Sequence, residues 1–226
     1  MNNSPEQIKY LKKLKRNSVI VNVSRAGILV IALALWEILV SSGVVDGFLF
    51  SSPSRIVKTT IELYTAGDLF LHIGTTLLET LLGFLIASVS GVLIAVMLWW
   101  SDMLKKIFEP YIVVLNSLPK IALGPLIIIW FGAGMKSIVF MAVIITIIVT
   151  IINMLAGFCE TDKNKILLLR SLGASKPQIF YHLVMPSSLP SLVSTLKINV
   201  GMSWIGSIMG EYLVSKRGIG YLIVYG

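Results

Sequence analysis

The chain has 226 residues, 56% of them apolar and 13% charged, against roughly 25% charged in a soluble domain; its mean hydropathy of +0.88 excludes a soluble globular protein. Aromatic content (9%) and the 18 glycines are ordinary, so the apolar excess is in Ile, Leu and Val, as in lipid-facing helices. One cysteine, Cys159, excludes an internal disulfide and a Cys-cluster metal centre, and His72 and His182 stand far apart in sequence, so no metal site is legible. The net charge of +8 would suit nucleic acid, but the positions of the basic residues are better explained by a membrane.

Residues 1–25 carry Lys9, Lys12, Lys13, Lys15, Arg16 and Arg25 ahead of an apolar run from Ala26 to Val45. That run exceeds the apolar core of a signal peptide and contains Glu37, so it reads as an uncleaved first span. Ile8, Leu11 and Leu14 recur among the lysines, which fits either an interfacial amphipathic helix or a solvated tail. A second span is expected over 73–99 and a third over 111–131, the latter interrupted by Pro119, Gly124 and Pro125. A fourth, 137–158, has no charged residue and is long enough to cross the hydrocarbon. A fifth, 189–209, contains Lys197, and a further apolar run begins at Tyr221. The expected fold is an all-α, polytopic membrane bundle with five spans.

The segments before span one, after span two and after span four hold twelve basic residues, against five on the other side. The positive-inside rule then places the N-terminus in the cytoplasm. Residues 1–25 are the basic cytoplasmic segment, and 26–226 the transmembrane domain.

Several faces carry information. Gly83, Ala87, Gly91 and Ala95 share one face of span two at a four-residue spacing, which suits close helix packing, within the chain or between two copies. Thr146, Thr150 and Asn153 align on span four, and Thr195, Asn199, Ser203, Gly206 and Gly210 on span five; such stripes should face the bundle interior or a water-filled path. Glu37, Glu79 and Lys197 are ionisable at membrane depth and need compensation. A direct Glu79–Lys197 pair is one candidate. In span three Pro119 and Pro125 free backbone carbonyls, tolerated only where protein or water satisfies them. Asn116, Ser117, Pro119, Lys120 and Pro125, with Asn199, are therefore expected to line a translocation path.

The loop 159–186, CETDKNKILLLRSLGASKPQIFYHLVMP, is too long for a tight turn and too apolar for a free loop. Gly173 closes one short helix, and Ala174, Ser175 and Pro177 open the next. Its apolar surface either packs on the chain's own spans or docks a cytoplasmic partner.

This loop resembles the EAA loop of the permease subunits of bacterial ABC importers, whose pattern is E-A-A, three residues, Gly, nine residues, I-x-L-P. Gly173 takes the glycine, Leu183 and Met185 the Ile and Leu positions, and Pro186 the proline, while Leu167, Leu168 and Leu169 replace E-A-A. LWEILVSSGVVDGFLFSSPSRIV near the N-terminus, LPKIALGPLIIIWFGAG at 118–134, RSLGAS at 170–175 and GEYLVSKRGIGYLI at 210–223 are similar to the nitrate/sulfonate/taurine permease family, over about residues 28–226. The resemblance implies a type I permease-like bundle in the bacterial plasma (inner) membrane, working as a homodimer with two ABC ATPase subunits and an extracytoplasmic binding protein. It makes Leu167, Leu168, Leu169, Gly173, Ala174, Ser175 and Pro186 the ATPase-coupling residues. Glu79 departs from the basic residue that members often have at its position, and members continue through a sixth span, so the chain is expected to be C-terminally truncated relative to them. It has no G-x-x-x-x-G-K-[ST] loop, so it is expected to bind no cofactor and to leave ATP and Mg²⁺ to its partner. The solute expected is a sulfonate-, taurine- or nitrate-like anion or a related nutrient. An intramembrane enzyme lacks its catalytic constellation here, and a channel or proton-coupled carrier would leave the long apolar loop unexplained.

Overall fold

The structure, a computed structural model, describes the backbone of residues 5–225 and the side chains of 14–47 and 50–224. The chain divides into two compact units, residues 1–69 and 70–226.

In the first unit α1 (Pro5–Ser41) runs through Arg25 without a break, and Leu14–Ser41 is long and apolar enough to cross a bilayer. The proposed amphipathic face at Ile8 and Leu11 lies outside the described side chains. A single turn, α2 (Gly47–Phe50), leads to α3 (Pro53–Ala66), where Ser52 accepts from Arg55 N–H and Gly67 closes the helix at φ +85°. Glu37 gains its compensation from this turn: its carboxylate accepts from Ser54 N–H at 3.0 Å and Ser54 Oγ at 2.7 Å.

The second unit is built on α4 (Leu69–Trp100), α7 (Met135–Cys159) and α11 (Leu189–Val214). Small residues govern their packing. A Cβ on Gly83 would stand 2.5 Å from Ala142 Cβ, one on Gly91 2.6 Å from Thr150 Cβ, and one on Gly206 2.5 Å from Ala142 Cα. Gly83, Ala87, Gly91 and Ala95 are all buried. By length and composition α4 and α7 can each cross a membrane. The 26-residue α11 is long enough, but its polar stripe lowers its apolarity.

The expected third span is corrected. Helix α5 (Asp102–Ser117) starts nine residues before Tyr111, runs through Pro110, and is followed by a 3₁₀ turn (Lys120–Leu123) and α6 (Gly124–Phe131); the two halves are bent by 86°. Leu118 adopts ψ 140°, the extended conformation forced on a residue before proline. The interruption expected at Pro119 is thus a turn of nearly a right angle between two helices. Beyond α7 come α8 (Lys163–Ser171), α9 (Lys176–Ile179), a π-helical turn (Phe180–Val184), α10 (Met185–Ser187) and, after α11, α12 (Ile219–Tyr225).

The larger core joins Ala95, Leu98, Ile151, Met154 and Phe158 to Ile179, Phe180 and Val184, and a smaller one gathers Ile127, Met141 and Ile145. The first core fixes the loop; the second holds α6 on α7.

Candidate functional site

The 159–186 segment is ordered by its own caps. Asp162 Oδ1 accepts from Asn164 N–H at 2.8 Å to open α8. Gly173 (φ +83°) ends it: Gly173 N–H donates to Arg170 O at 3.0 Å and Ala174 N–H to Leu169 O at 2.9 Å, the paired bonds of a left-handed glycine cap. Gln178 Oε1 then accepts from Ser175 N–H (2.7 Å) and Ser175 Oγ (2.9 Å) at the start of α9.

The apolar surface is divided between two faces, one packed and one exposed. Ile166, Leu169, Ala174, Ile179, Phe180, Leu183 and Val184 pack on α4 and α7. Leu167, Leu168 and Leu172 point away and are 65%, 59% and 74% exposed. Pro186 is exposed as well. Lys176 fastens the segment: its Nζ donates to Trp100 O at 2.6 Å and lies 5.5 Å from the Trp99 ring centroid. An ammonium placed on the last carbonyls of a helix complements the helix dipole. The Phe180 ring completes the contact, 5.1 Å from Trp99 and 5.6 Å from Phe158.

The expected path residues separate into two groups. Asn116, Ser117, Pro119 and Pro125 are exposed around the α5–α6 bend, with Lys120 half-buried among them. Lys120 Nζ turns back on α5 and donates to Asn116 O at 3.1 Å, so its charge helps to satisfy the carbonyl left free by the break. Asn199 is elsewhere. It is fully buried, and its Nδ2 donates to Ser88 Oγ and Thr150 Oγ1, both at 2.9 Å, tying α11 to α4 and α7. The lower ends of the two polar stripes meet in a groove of about 390 Å³ lined by Asn153, Gly157, Glu160, Ser191, Ser194 and Thr195.

The sequence reading passes over Ser88, which is masked by its small-residue neighbours, and Glu211, which it places beyond the fifth span. The candidate Glu79–Lys197 pair is corrected: Glu79 is buried, while Lys197 is exposed.

A bundle of this kind, with its bent helix pair and its capped loop between two membrane-length helices, has the fold of an importer permease. The inward-facing MetNI methionine ABC transporter superposes with a TM-score of 0.63 at 20% identity, over 72% of this chain and 82% of that one. Residues 83–226 match the family described as "Binding-protein-dependent transport system inner membrane component", and the chain belongs to it. It is 33% identical to the formylaminopyrimidine transport permease of Halalkalibacterium halodurans, over 84% of this chain and 75% of the relative. The nitrate import permease of Synechococcus elongatus is 29% identical (85% and 72% covered). An aliphatic sulfonates transport permease of Bacillus subtilis is 27% identical (86% and 70%). The chain is thus a multi-pass membrane permease of the ABC importer family.

Proposed function

We propose that this permease carries a small solute across the membrane in a homodimer driven by a separate ABC ATPase, with an extracytoplasmic protein delivering the solute. The observation that carries the coupling role is the two-faced 159–186 segment. One face is locked to α4 and α7, and the other presents Leu167, Leu168 and Leu172 to solvent. An exposed greasy ridge on a short, doubly capped helix is suited to insertion in a partner's groove. ATP and Mg²⁺ belong to that partner, the N-terminus lies on the same cytoplasmic side, and the solute is a sulfonate-, taurine- or nitrate-like anion or a related nutrient such as a pyrimidine.

Gly173→Asp tests this reading. The position has φ +83°, which an aspartate adopts with strain, so the variant tilts α8 relative to α9 and misplaces the ridge. The permease should still accumulate in the membrane, while co-purified ATPase and solute uptake both fall by tenfold or more. Normal co-purification together with normal uptake would refute the coupling role.

A further inference from the structure

Where α4 ends at Trp100 and α7 at Cys159, the 159–186 segment and the first turns of α5 surround a pocket of about 150 Å³. Trp99, Cys159, Ile166 and Ile179 form its walls, and Lys105 of α5, Arg170 of α8 and Lys176 of α9 bring cations to it. Asp102 is the one acid among the lining residues. Two of the cations are already positioned. Lys105 Nζ donates to Cys159 Sγ at 3.2 Å, and Lys176 Nζ to Trp100 O at 2.6 Å, which leaves further N–H donors on each ammonium. Among the described residues none of the three cations is in an ion pair, the one such pair being Lys58–Glu62.

Lys105 and Cys159 also line a second hollow, a groove of about 210 Å³ between α5 and α7. Its other walls are Ile112 and Val113 from α5 and Ile152, Leu155 and Ala156 from α7, with Glu109 one turn from Lys105. Ile112 follows Lys105, and Ile152 precedes Cys159, by seven residues, so the groove descends roughly 10 Å along both helices. Both α4 and α7 are of membrane-spanning length. Their shared end puts the pocket where the hydrocarbon stops, at the level that Trp99 and Trp100 favour, and the groove on its hydrocarbon side. Cations stand at the interface and apolar walls lie below them, the polarity gradient of the bilayer itself.

We propose that the pocket and the groove together bind one anionic phospholipid, its phosphate held by Lys105, Arg170 and Lys176 and one acyl chain laid between α5 and α7. Basic pockets between helix ends at a membrane surface suit such headgroups, and guanidinium and ammonium groups give charge-assisted bonds to phosphate oxygens. A free phosphate would satisfy the cations and leave the apolar groove unused. Continuity of the two hollows through Lys105 and Cys159 is what selects a lipid. The pocket lies on the side of Ile166 and Ile179, the packed face of the segment, so the exposed Leu167, Leu168 and Leu172 stay clear of it. One phosphate then links α5, α8 and α9, and the hold on the 159–186 segment depends on the anionic content of the bilayer.

Native mass spectrometry and thermal melting of the full chain in detergent test the site with neither ATPase nor solute present, so the result is independent of the transport reading. The wild type should retain one dioleoylphosphatidylglycerol in preference to dioleoylphosphatidylcholine, and that lipid should raise its melting temperature more than inorganic phosphate does. Lys105→Gln combined with Arg170→Gln should weaken phosphatidylglycerol retention by about thirtyfold, the scale of two cations at a membrane surface. Lys106→Gln combined with Lys163→Gln removes two exposed cations outside the pocket and should change it little. Ala156→Trp, which fills the groove and keeps every cation, should also weaken retention. If that variant fails to accumulate, the two charge variants and the comparison of lipids still decide. Equal retention of the two lipids, or equal retention of phosphatidylglycerol by the two charge variants, would overturn the proposal. Protection by inorganic phosphate as strong as that by phosphatidylglycerol would assign the pocket to a free anion and overturn it too.

Discussion

Gly206 and Gly201 stand on the same helix five residues apart and differ in what they face. A Cβ at 206 would meet the Ala142 backbone at 2.5 Å, whereas one at 201 has nothing within 4 Å. Gly206→Ala should therefore push α11 off α7 and cost about 1–3 kcal/mol, the usual penalty of overpacking. Gly201→Ala should be neutral, or stabilise by up to about 1 kcal/mol through helix propensity. Detergent melting of the two variants compares them directly, and equal melting temperatures would contradict the packing described. Asn199 offers a second comparison at this scale. Asn199→Leu removes both donations, to Ser88 and Thr150, and should cost about 1 kcal/mol, the scale of interhelical bonds in membranes. Ser88→Ala in the Asn199→Leu background should then add little.

Among the elements, those with a strong period were legible before any coordinates. Span four announced α7 by its uncharged length, and the Thr195–Asn199–Ser203 stripe marked the buried face of α11. The beginning of α5 was hidden, because Lys105, Lys106 and Glu109 make its first turns too polar for a hydropathy window even though they are helical. The 86° bend was signalled by Pro119 only as an interruption; its angle is a tertiary property, and a Cβ on Gly124 just beyond it would stand 2.5 Å from Leu213 Cδ1 and 2.9 Å from Met141 Cε. Glu211 was missed because its burial comes from Gly218 and Gly220, which close over it after the helix has ended. Single cysteines at 116, 117 and 120 in a Cys159→Ser background test the bend as part of the path. A small water-soluble thiol reagent should label at least two of the three, with a rate that changes when ATP is added to the assembled transporter. Uniform protection would make this segment a dry structural elbow.

For the whole molecule, the distinction from a channel or proton-coupled carrier is energetic. Uptake in a host lacking its own related importers should require co-expression of the ATPase and should collapse when that ATPase cannot hydrolyse ATP. Uptake by the permease alone, driven by a proton gradient, would reverse the assignment. Within the permease, Lys176 sits 76 residues from Trp100 in sequence, yet its ammonium, together with Phe180, clamps the 159–186 segment to the end of α4. Lys176→Met should leave α8 folded, since its caps are local, but allow the segment to slide over Trp99 and Trp100, lowering uptake per ATP hydrolysed more than it lowers ATPase binding. Movement of the segment then reaches α4 through side-chain contact as well as through the chain's hinges, in the way that a lever bolted at a second point turns the whole frame where a tethered strap would merely pull.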